Sequence, residues 1–262
     1  MSKTSSMGRG MMAILALGAR HAQGYDGGSV ADIAAQLDKD RSQVSRSLKG
    51  AQLEGFLARN DQRNYSLDWS ILTDAQLVTE QRLRTDGLTA LEGLATETNE
   101  ACFLGVLSGN STVTIAEHVP ASANLVGSWL GRPYPAYCSD AGQALLWDTP
   151  DHEVRKVFES VEFLKHGPNT PRSVDDFLDR LRTSRARGYS IVDEEAEPGL
   201  YSLAAPIRDF KGEVAAAIQI VGPKSRMEPL RESHAVVLNS WRDWLESTVG
   251  GPADTSPVIF GS

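Results

Sequence analysis

The 262 residues are 41% hydrophobic and 23% charged, an ordinary globular balance that excludes a wholly disordered chain. Two cysteines, Cys102 and Cys138, are too few for a disulfide framework and lack metal-ligand spacing, which points to a reducing compartment such as the cytoplasm. The chain is acidic at −8, yet residues 1–66 hold nine Lys/Arg against six Asp/Glu, so a mildly basic head precedes an acidic body.

The first apolar run is interrupted by glycine and arginine, is too short to span a bilayer and precedes no small-residue cleavage site, so neither a membrane span nor a secretory signal is expected. Met11, Ile14, Leu15 and Leu17 predict a helix over 11–21. Gly24-Tyr25-Asp26-Gly27-Gly28 is a breaker. Ser29 reads as the N-cap of a short second helix, with Asp32 favouring its first turn and Val30, Ile33, Ala34 and Leu37 on one face. After the polar turn Asp38-Lys39-Asp40, a third helix is predicted over 41–54, with Val44, Leu48, Ala51 and Leu53 inward and Gly55 ending it. A polar turn over 59–64 separates Phe56-Leu57-Ala58 from the strand Tyr65-Ser66-Leu67. Helix, helix, turn, helix, hairpin is the order of a winged helix-turn-helix.

Residues 68–85 read as a connecting helix, and a helical pattern resumes at Leu88, Leu91, Leu94 and Ala95. Strands are expected over 101–108 and 112–119, joined at Gly109-Asn110, with a further strand over 124–130. Helices are expected over 139–147, 154–158 and 174–187, the last stopped by Gly188. Strands follow over 189–192, 200–207 and 213–221, then a final helix over 228–248 and a mobile Gly/Pro/Ser-rich tail over 250–262.

The outward face of the third helix carries Arg41, Ser42, Gln43, Ser45, Arg46 and Lys49. Arginine pairs with guanine, glutamine with adenine, and serine donates or accepts, so this face suits base edges and phosphates. Its first residues lie at the helix end that enters the major groove in helix-turn-helix docking. Arg59 and Arg63 flank the hairpin tip, placed either for phosphate or minor-groove contact or as ordinary loop charges.

These residues resemble the IclR family of bacterial transcription regulators. In the head, Ser29-Val-Ala-Asp-Ile-Ala-Ala-Gln-Leu followed by Arg41-Ser-Gln-Val-Ser-Arg-Ser-Leu is similar to the family's helix-turn-helix, and Leu53-Glu-Gly-Phe-Leu to its approach to the wing. In the body the resemblance continues through Gly131-Arg-Pro-Tyr-Pro-Ala-Tyr-Cys-Ser-Asp-Ala-Gly-Gln-Ala-Leu-Leu, Arg187-Gly-Tyr-Ser-Ile-Val-Asp-Glu-Glu, Gly199-Leu, Ala204-Ala-Pro-Ile and Ala216-Ala-Ile-Gln-Ile-Val-Gly-Pro. Each motif alone is weak; the ordered set spans roughly residues 8–248. The resemblance implies an α+β chain: an N-terminal winged helix-turn-helix and a C-terminal GAF-like effector-binding domain whose curved antiparallel sheet holds a small molecule against its concave face. It also implies homodimers, with dimers pairing further into homotetramers through the bodies; the apolar stripe of the first helix and the connecting helix, with Met11, Ile14 and Leu72, is the expected dimer seam. Family members with small-acid effectors line the pocket with an acidic residue, a cysteine and two serines. The matching positions here are Val192, Ser202, Gln219 and Val221, a less polar set. The resemblance further offers Tyr134, Tyr137, Cys138, Asp140 and Ala141 from the pocket segment, and Leu125 and Trp129 upstream. Aromatic walls with few polar groups suit a flat aromatic ligand, though each ring taken alone is equally well a core residue.

Competing chemistry is weaker. No Gly-x-Ser-x-Gly elbow surrounds Ser139, and Gly8-Arg-Gly10 follows no strand, so it fails as a dinucleotide fingerprint. Cys138 as a nucleophile with His118 or His166 as base, and Asp193-Glu194-Glu195 as a metal site, lack supporting spacing. The expectation is therefore a cytoplasmic, ligand-responsive DNA-binding regulator of a catabolic operon, binding double-stranded operator DNA and a small aromatic acid or derivative. Repression is the default, because a ligand-released operator binder needs no polymerase contact surface. It needs no cofactor or metal and is not an enzyme. The alternatives are a small-molecule hydrolase or a sensor or scaffold without DNA binding. The expected divisions are a DNA-binding head over 1–67, a linker helix over 68–85, an effector-binding domain over 86–249 and the tail over 250–262.

Overall fold

The computed structural model describes residues 5–22, 24–123 and 128–249, except for the side chains of Ser6, Ala22 and residues 69–75. It divides between Val78 and Thr79 into two compact units. The head contains α1 (Ser6–Ala22), α2 (Val30–Leu37), α3 (Arg41–Leu53) and the antiparallel hairpin of β1 (Leu57–Arg59) and β2 (Tyr65–Leu67). Ala13, Ala16 and Leu17 of α1 meet Ile33, Ala34 and Leu37 of α2 and Val44, Leu48 and Ala51 of α3, with Leu57 and Tyr65 closing the cluster. Leu53, expected inward, is exposed, because two residues past Ala51 the helix has turned it away from the buried stripe. Helix α1 starts earlier than its apolar stripe predicts, because the Ser5 hydroxyl accepts from the Gly8 amide and offsets the poor helix propensity of Gly8 and Gly10. At α2, Ser29 and Asp32 form a reciprocal capping box. Asp40, read from sequence only as part of a polar turn, caps α3 by accepting from the Ser42 and Gln43 amides. Gly27 is required sterically: its φ is 114°, and a Cβ there would lie 2.4 Å from the Tyr65 carbonyl oxygen.

One continuous helix, α4 (Trp69–Thr98), replaces the expected linker and the separate helical run beyond it. Gly87 accounts for the apparent gap, since a Cβ there would lie 2.9 Å from Leu104; the glycine marks close approach of helix and sheet, not a break. The body sheet comprises β3 (Ala101–Ser108), β4 (Ser111–His118), β5 (Pro133–Pro135), β6 (Ser190–Asp193), β7 (Leu200–Arg208) and β8 (Val214–Pro223). Its order is β5-β4-β3-β8-β7-β6, antiparallel throughout.

Register decides which side chains meet, because successive residues on a strand face opposite ways. One face presents Cys102, Leu104, Leu203, Ala205, Ile207, Ala216, Ile218 and Ile220 to α4 and to α9 (Arg231–Val249), forming the main core. The pairings Phe103↔Gln219, Ser202↔Val221, Val192↔Ser202 and Thr112↔Tyr134 place those residues on the other face. Part of that face is covered by α5 (Gly142–Leu145), where Ala141, Ala144 and Leu145 pack on Ala204 and Ala217. Beyond α5, α6 (Asp151–Val157) and α7 (Val174–Arg187) enclose Phe177, Leu178 and Leu181.

Three further expected elements differ. The helix expected over 139–147 is reduced to α5, because residues 135–141 form hydrogen-bonded turns, including Ser139 N–H to Pro135 O at 3.1 Å. The final helix is preceded by α8 (Lys224–Met227) and a 3-10 turn at Glu228–Leu230, where Pro229 cannot extend a helical ladder backwards. Of the strand expected over 124–130, residues 124–127 lie outside the described residues, and the rest contributes only a Leu130–Thr114 bridge. The expected tail over 250–262 also lies outside them. Among the described residues no helix is long and apolar enough to cross a membrane.

Candidate functional site

In the head, the buried stripe of α3 fixes what the rest of the helix presents. Val44, Leu48 and Ala51 face the core, so Ser42, Arg46 and Lys49 stand opposite them, all exposed. Arg41 is exposed in the first turn, and Ser45 sits half-buried on one flank. Gln43 lies on the other flank, in a groove with Arg9, Met12 and Lys39. The Ser42 hydroxyl donates to Asp40, so it belongs to the helix cap as well as to the outward face. Arg59 and Arg63 are exposed on the hairpin, the Arg59 guanidinium lying 5.1 Å from the Tyr65 ring centre. The eight cationic, amide and hydroxyl side chains singled out from sequence thus divide between α3 and the hairpin of a single unit.

In the body, the second sheet face holds a pocket open to solvent at its mouth. Phe103, Trp129, Tyr134, Leu200 and Val221 form its apolar walls, and Thr112, Thr114, Ser139, Asp140 and Gln219 its polar ones. Arg132 and Glu197, both exposed, stand at the mouth. The rings of Trp129 and Tyr134 meet edge to face at 6.1 Å. Trp129 is anchored by its amide, which donates to Glu117 at 2.8 Å, and Tyr134 by its hydroxyl, which donates to the Ala196 carbonyl at 3.1 Å. Ser139 Oγ, Asp140 Oδ1, Ser202 Oγ and Gln219 Oε1 are buried with no hydrogen-bond partner among the described residues. Buried polar atoms are usually satisfied, so this cluster makes the pocket the candidate ligand site of the body.

Of the residues singled out for an effector, Trp129, Tyr134, Asp140, Ala141, Gln219 and Val221 come together here. Tyr137 and Cys138 do not: they turn into the cluster of Phe158, Phe163 and Phe177, with the Tyr137 hydroxyl donating to Leu164 O at 3.0 Å. Adjacent residues leaving a turn cannot all face one side, and the pocket takes Tyr134 and the 139–141 segment. Val192 and Ser202 share the pocket face but are fully covered and stand behind its lining. Leu125 lies outside the described residues. Phe103, Thr112, Thr114, Arg132, Ser139, Ala196, Glu197 and Leu200 were not singled out. The alternation of Thr112 and Thr114 was the available signal; Phe103 sits in a run apolar on both faces, which hides its direction.

Burial pushes the Asp140 carboxyl up to about 6, with nearby Glu197 adding to the effect and the Ser202 hydroxyl opposing it. Glu195, behind the pocket, is raised by burial to about 7 despite its 2.7 Å pair with Arg180. A carboxyl whose folded value is raised stabilises the fold while protonated and loses that contribution as pH climbs through the folded value. For Asp140 the loss falls between about 4 and 6, and by ~1.4 kcal/mol per unit it amounts to about 3 kcal/mol. Asp140→Asn is therefore expected to melt higher than the natural chain at pH 8 and equally at pH 4. Equal melting at pH 8 would contradict the burial assigned to this carboxyl.

The competing chemistries find no geometry. Burial pushes the Cys138 thiol up to about 12, so it is not a nucleophile near neutrality. The acidic run 193–195 is engaged by cations: Lys224 holds Asp193 at 2.7 Å and Glu194 at 3.0 Å, and Arg180 holds Glu195. Among the described residues no cluster fits a metal ion.

A family model described as bacterial transcriptional regulator IclR, C-terminal, matches residues 75–245, well over half of the chain. The chain belongs to the IclR family of transcriptional regulators. Among its relatives, the HTH-type transcriptional repressor AllR of Klebsiella pneumoniae is 30% identical over 208 residues, covering 78% of this chain and 75% of that one. The fold is similar to a transcriptional regulator of Rhodococcus sp. RHA1, with a TM-score of 0.61, 25% identity and coverage of 95% and 98% of the two chains. It is also similar to the inducer-binding domain of PobR from Acinetobacter, solved as a double mutant in complex with 3-hydroxybenzoic acid, with a TM-score of 0.58, 23% identity and coverage of 64% and 99%. These IclR relatives are regulators of transcription and not enzymes.

Proposed function

We propose that this IclR-family chain is a ligand-responsive repressor of a catabolic operon, holding operator DNA through its head and a small aromatic effector in its body pocket. The observation that carries the reading is the pocket itself: ring-bearing walls from Phe103, Trp129 and Tyr134 beside three buried polar atoms, on Ser139, Asp140 and Gln219, without partners among the described residues. Flat apolar walls bury a ring, and the unsatisfied polar atoms orient its substituent. In the head, Arg41, Gln43 and Arg46 are assigned to base edges, with Ser42, Ser45 and Lys49 beside them and Arg59 and Arg63 on the phosphate backbone.

A single winged helix reads few base pairs, so two heads on a two-fold axis are proposed, reading a pseudo-palindrome. The exposed stripe Met7, Met11 and Leu15 on α1 is the apolar face available for that pairing. Of the other residues expected in the seam, Ile14 packs partly into the head's own core, and the side chain of Leu72 lies outside the described residues.

The test is an electrophoretic shift on the DNA upstream of the chain's own gene, challenged with aliphatic keto-acids and with aromatic acids, amides and hydrazides. A shift of two chains per site, released by an aromatic compound, is expected. No shift, or release by keto-acids alone, would refute the reading.

A further inference from the structure

The pocket's inner wall is unusually rich in acceptors. Asp140 Oδ1 and Gln219 Oε1 accept hydrogen bonds and the Ser139 hydroxyl accepts or donates; these three lining atoms are buried with no hydrogen-bond partner among the described residues, while the Ser202 hydroxyl, behind the lining, lies beside the Asp140 carboxyl. The charges around them are biased the same way. Asp140 and Glu197 line the pocket as carboxylates, against one guanidinium, Arg132, which is exposed and stands 5.9 Å from the Trp129 ring centre. The nearby cation behind the wall, Arg180, is committed to Glu195 at 2.7 Å and Asp176 at 3.0 Å. Glu117 is occupied by the Trp129 amide. A donor entering this space satisfies acceptors that otherwise lose their hydration, whereas an entering carboxylate meets like charge in a poorly solvated cleft.

We propose that the pocket selects a one-ring ligand whose inward end donates hydrogen bonds and is neutral or cationic, an aryl amine or an aryl amide, and rejects a carboxylate at that end. The proposal rests on the reading of this pocket as the effector site. The ring lies between Phe103, Trp129, Leu200 and Val221, and the donor end meets Asp140 and Gln219. A carboxylate elsewhere on the ring is tolerated only at the mouth, beside Arg132. The resemblance to regulators of small acids predicts the opposite polarity, so this chain's own lining, and not its family, decides the ligand class.

Benzylamine, benzamide and benzoate are suitable probes, matched in ring and size and differing in the polar end. Calorimetry with the full chain near pH 7.5 is expected to show benzylamine and benzamide binding about tenfold or more tighter than benzoate. Asp140→Asn removes the charge without changing the shape, so it should cost benzylamine about tenfold or more and leave benzoate equal or tighter. Benzoate binding as tightly as the amine or amide in the natural chain would overturn the proposal. Val221→Phe, which fills the apolar wall, separates the two ideas. If it abolishes all binding while benzoate remains the preferred probe of the natural chain, the polarity is wrong and the pocket right. If it leaves all binding unchanged, the pocket reading itself fails. Absence of binding by all three probes at millimolar concentration overturns both.

Discussion

Replacing Arg41 and Arg46 together by alanine should weaken operator binding by roughly a hundredfold or more. Each good base contact is worth ~1–3 kcal/mol, and the two arginines lie at separate positions on the exposed side of α3, so their losses should nearly add. Neither side chain supports the head's core, which is built from Val44, Leu48 and Ala51 on the opposite stripe. The double variant should therefore fold and melt as the natural chain does. Arg59→Ala should behave differently: a lost phosphate contact weakens all sequences alike and flattens the dependence of affinity on salt. Fluorescence anisotropy across a salt series, on the operator and on unrelated DNA, reads both effects. Unchanged operator affinity in the double variant at moderate salt would remove α3 as the reading helix.

The second large effect is expected at Gly142. A Cβ there would lie 1.7 Å from the Ala136 carbonyl oxygen and 2.7 Å from its carbon, so backbone and not a flexible side chain must move. The displaced segment holds Tyr134, Ser139, Asp140 and Ala141 against the sheet. Gly142→Ala should cost about 3 kcal/mol or more, lowering the melting midpoint of the body by roughly 6–12 °C. Below that midpoint the head should still bind DNA, but the response to ligand should be lost. A variant that melts normally and keeps its ligand affinity would show that the pocket does not depend on the turn over 135–141.

Elements whose ends carry local chemistry were readable directly from sequence. Helix α7 falls where predicted, because Ser173 caps its start and Gly188, at φ 91°, closes its end. The capping box at Ser29 and Asp32 is equally local. The misread elements are those where a long-range contact explains a local irregularity: Gly87 serves close packing on Leu104, and the turn over 135–141 is fixed by Asn110 and Pro135 carbonyls. The pocket was half legible for the same reason. Resemblance supplied its segments, but which of Tyr134, Tyr137 and Cys138 turns inward depends on strand register and on a phenylalanine cluster far along the chain. The mouth residues Arg132 and Glu197 carry no periodic signal at all. They set the charge balance, so the ligand class needed the structure.

Reciprocal titration tests the central claim, that one chain couples operator binding to occupation of the body pocket. The operator affinity is measured with and without a saturating aromatic ligand, and the ligand affinity with and without saturating operator. Linkage requires the two ratios to be equal, whatever the path of the coupling. The account predicts that ligand weakens DNA binding about tenfold or more and that DNA weakens ligand binding by the same factor. Val221→Phe should abolish ligand binding, and with it the coupling, while leaving DNA affinity unchanged. Two affinities that are independent of each other would contradict the account.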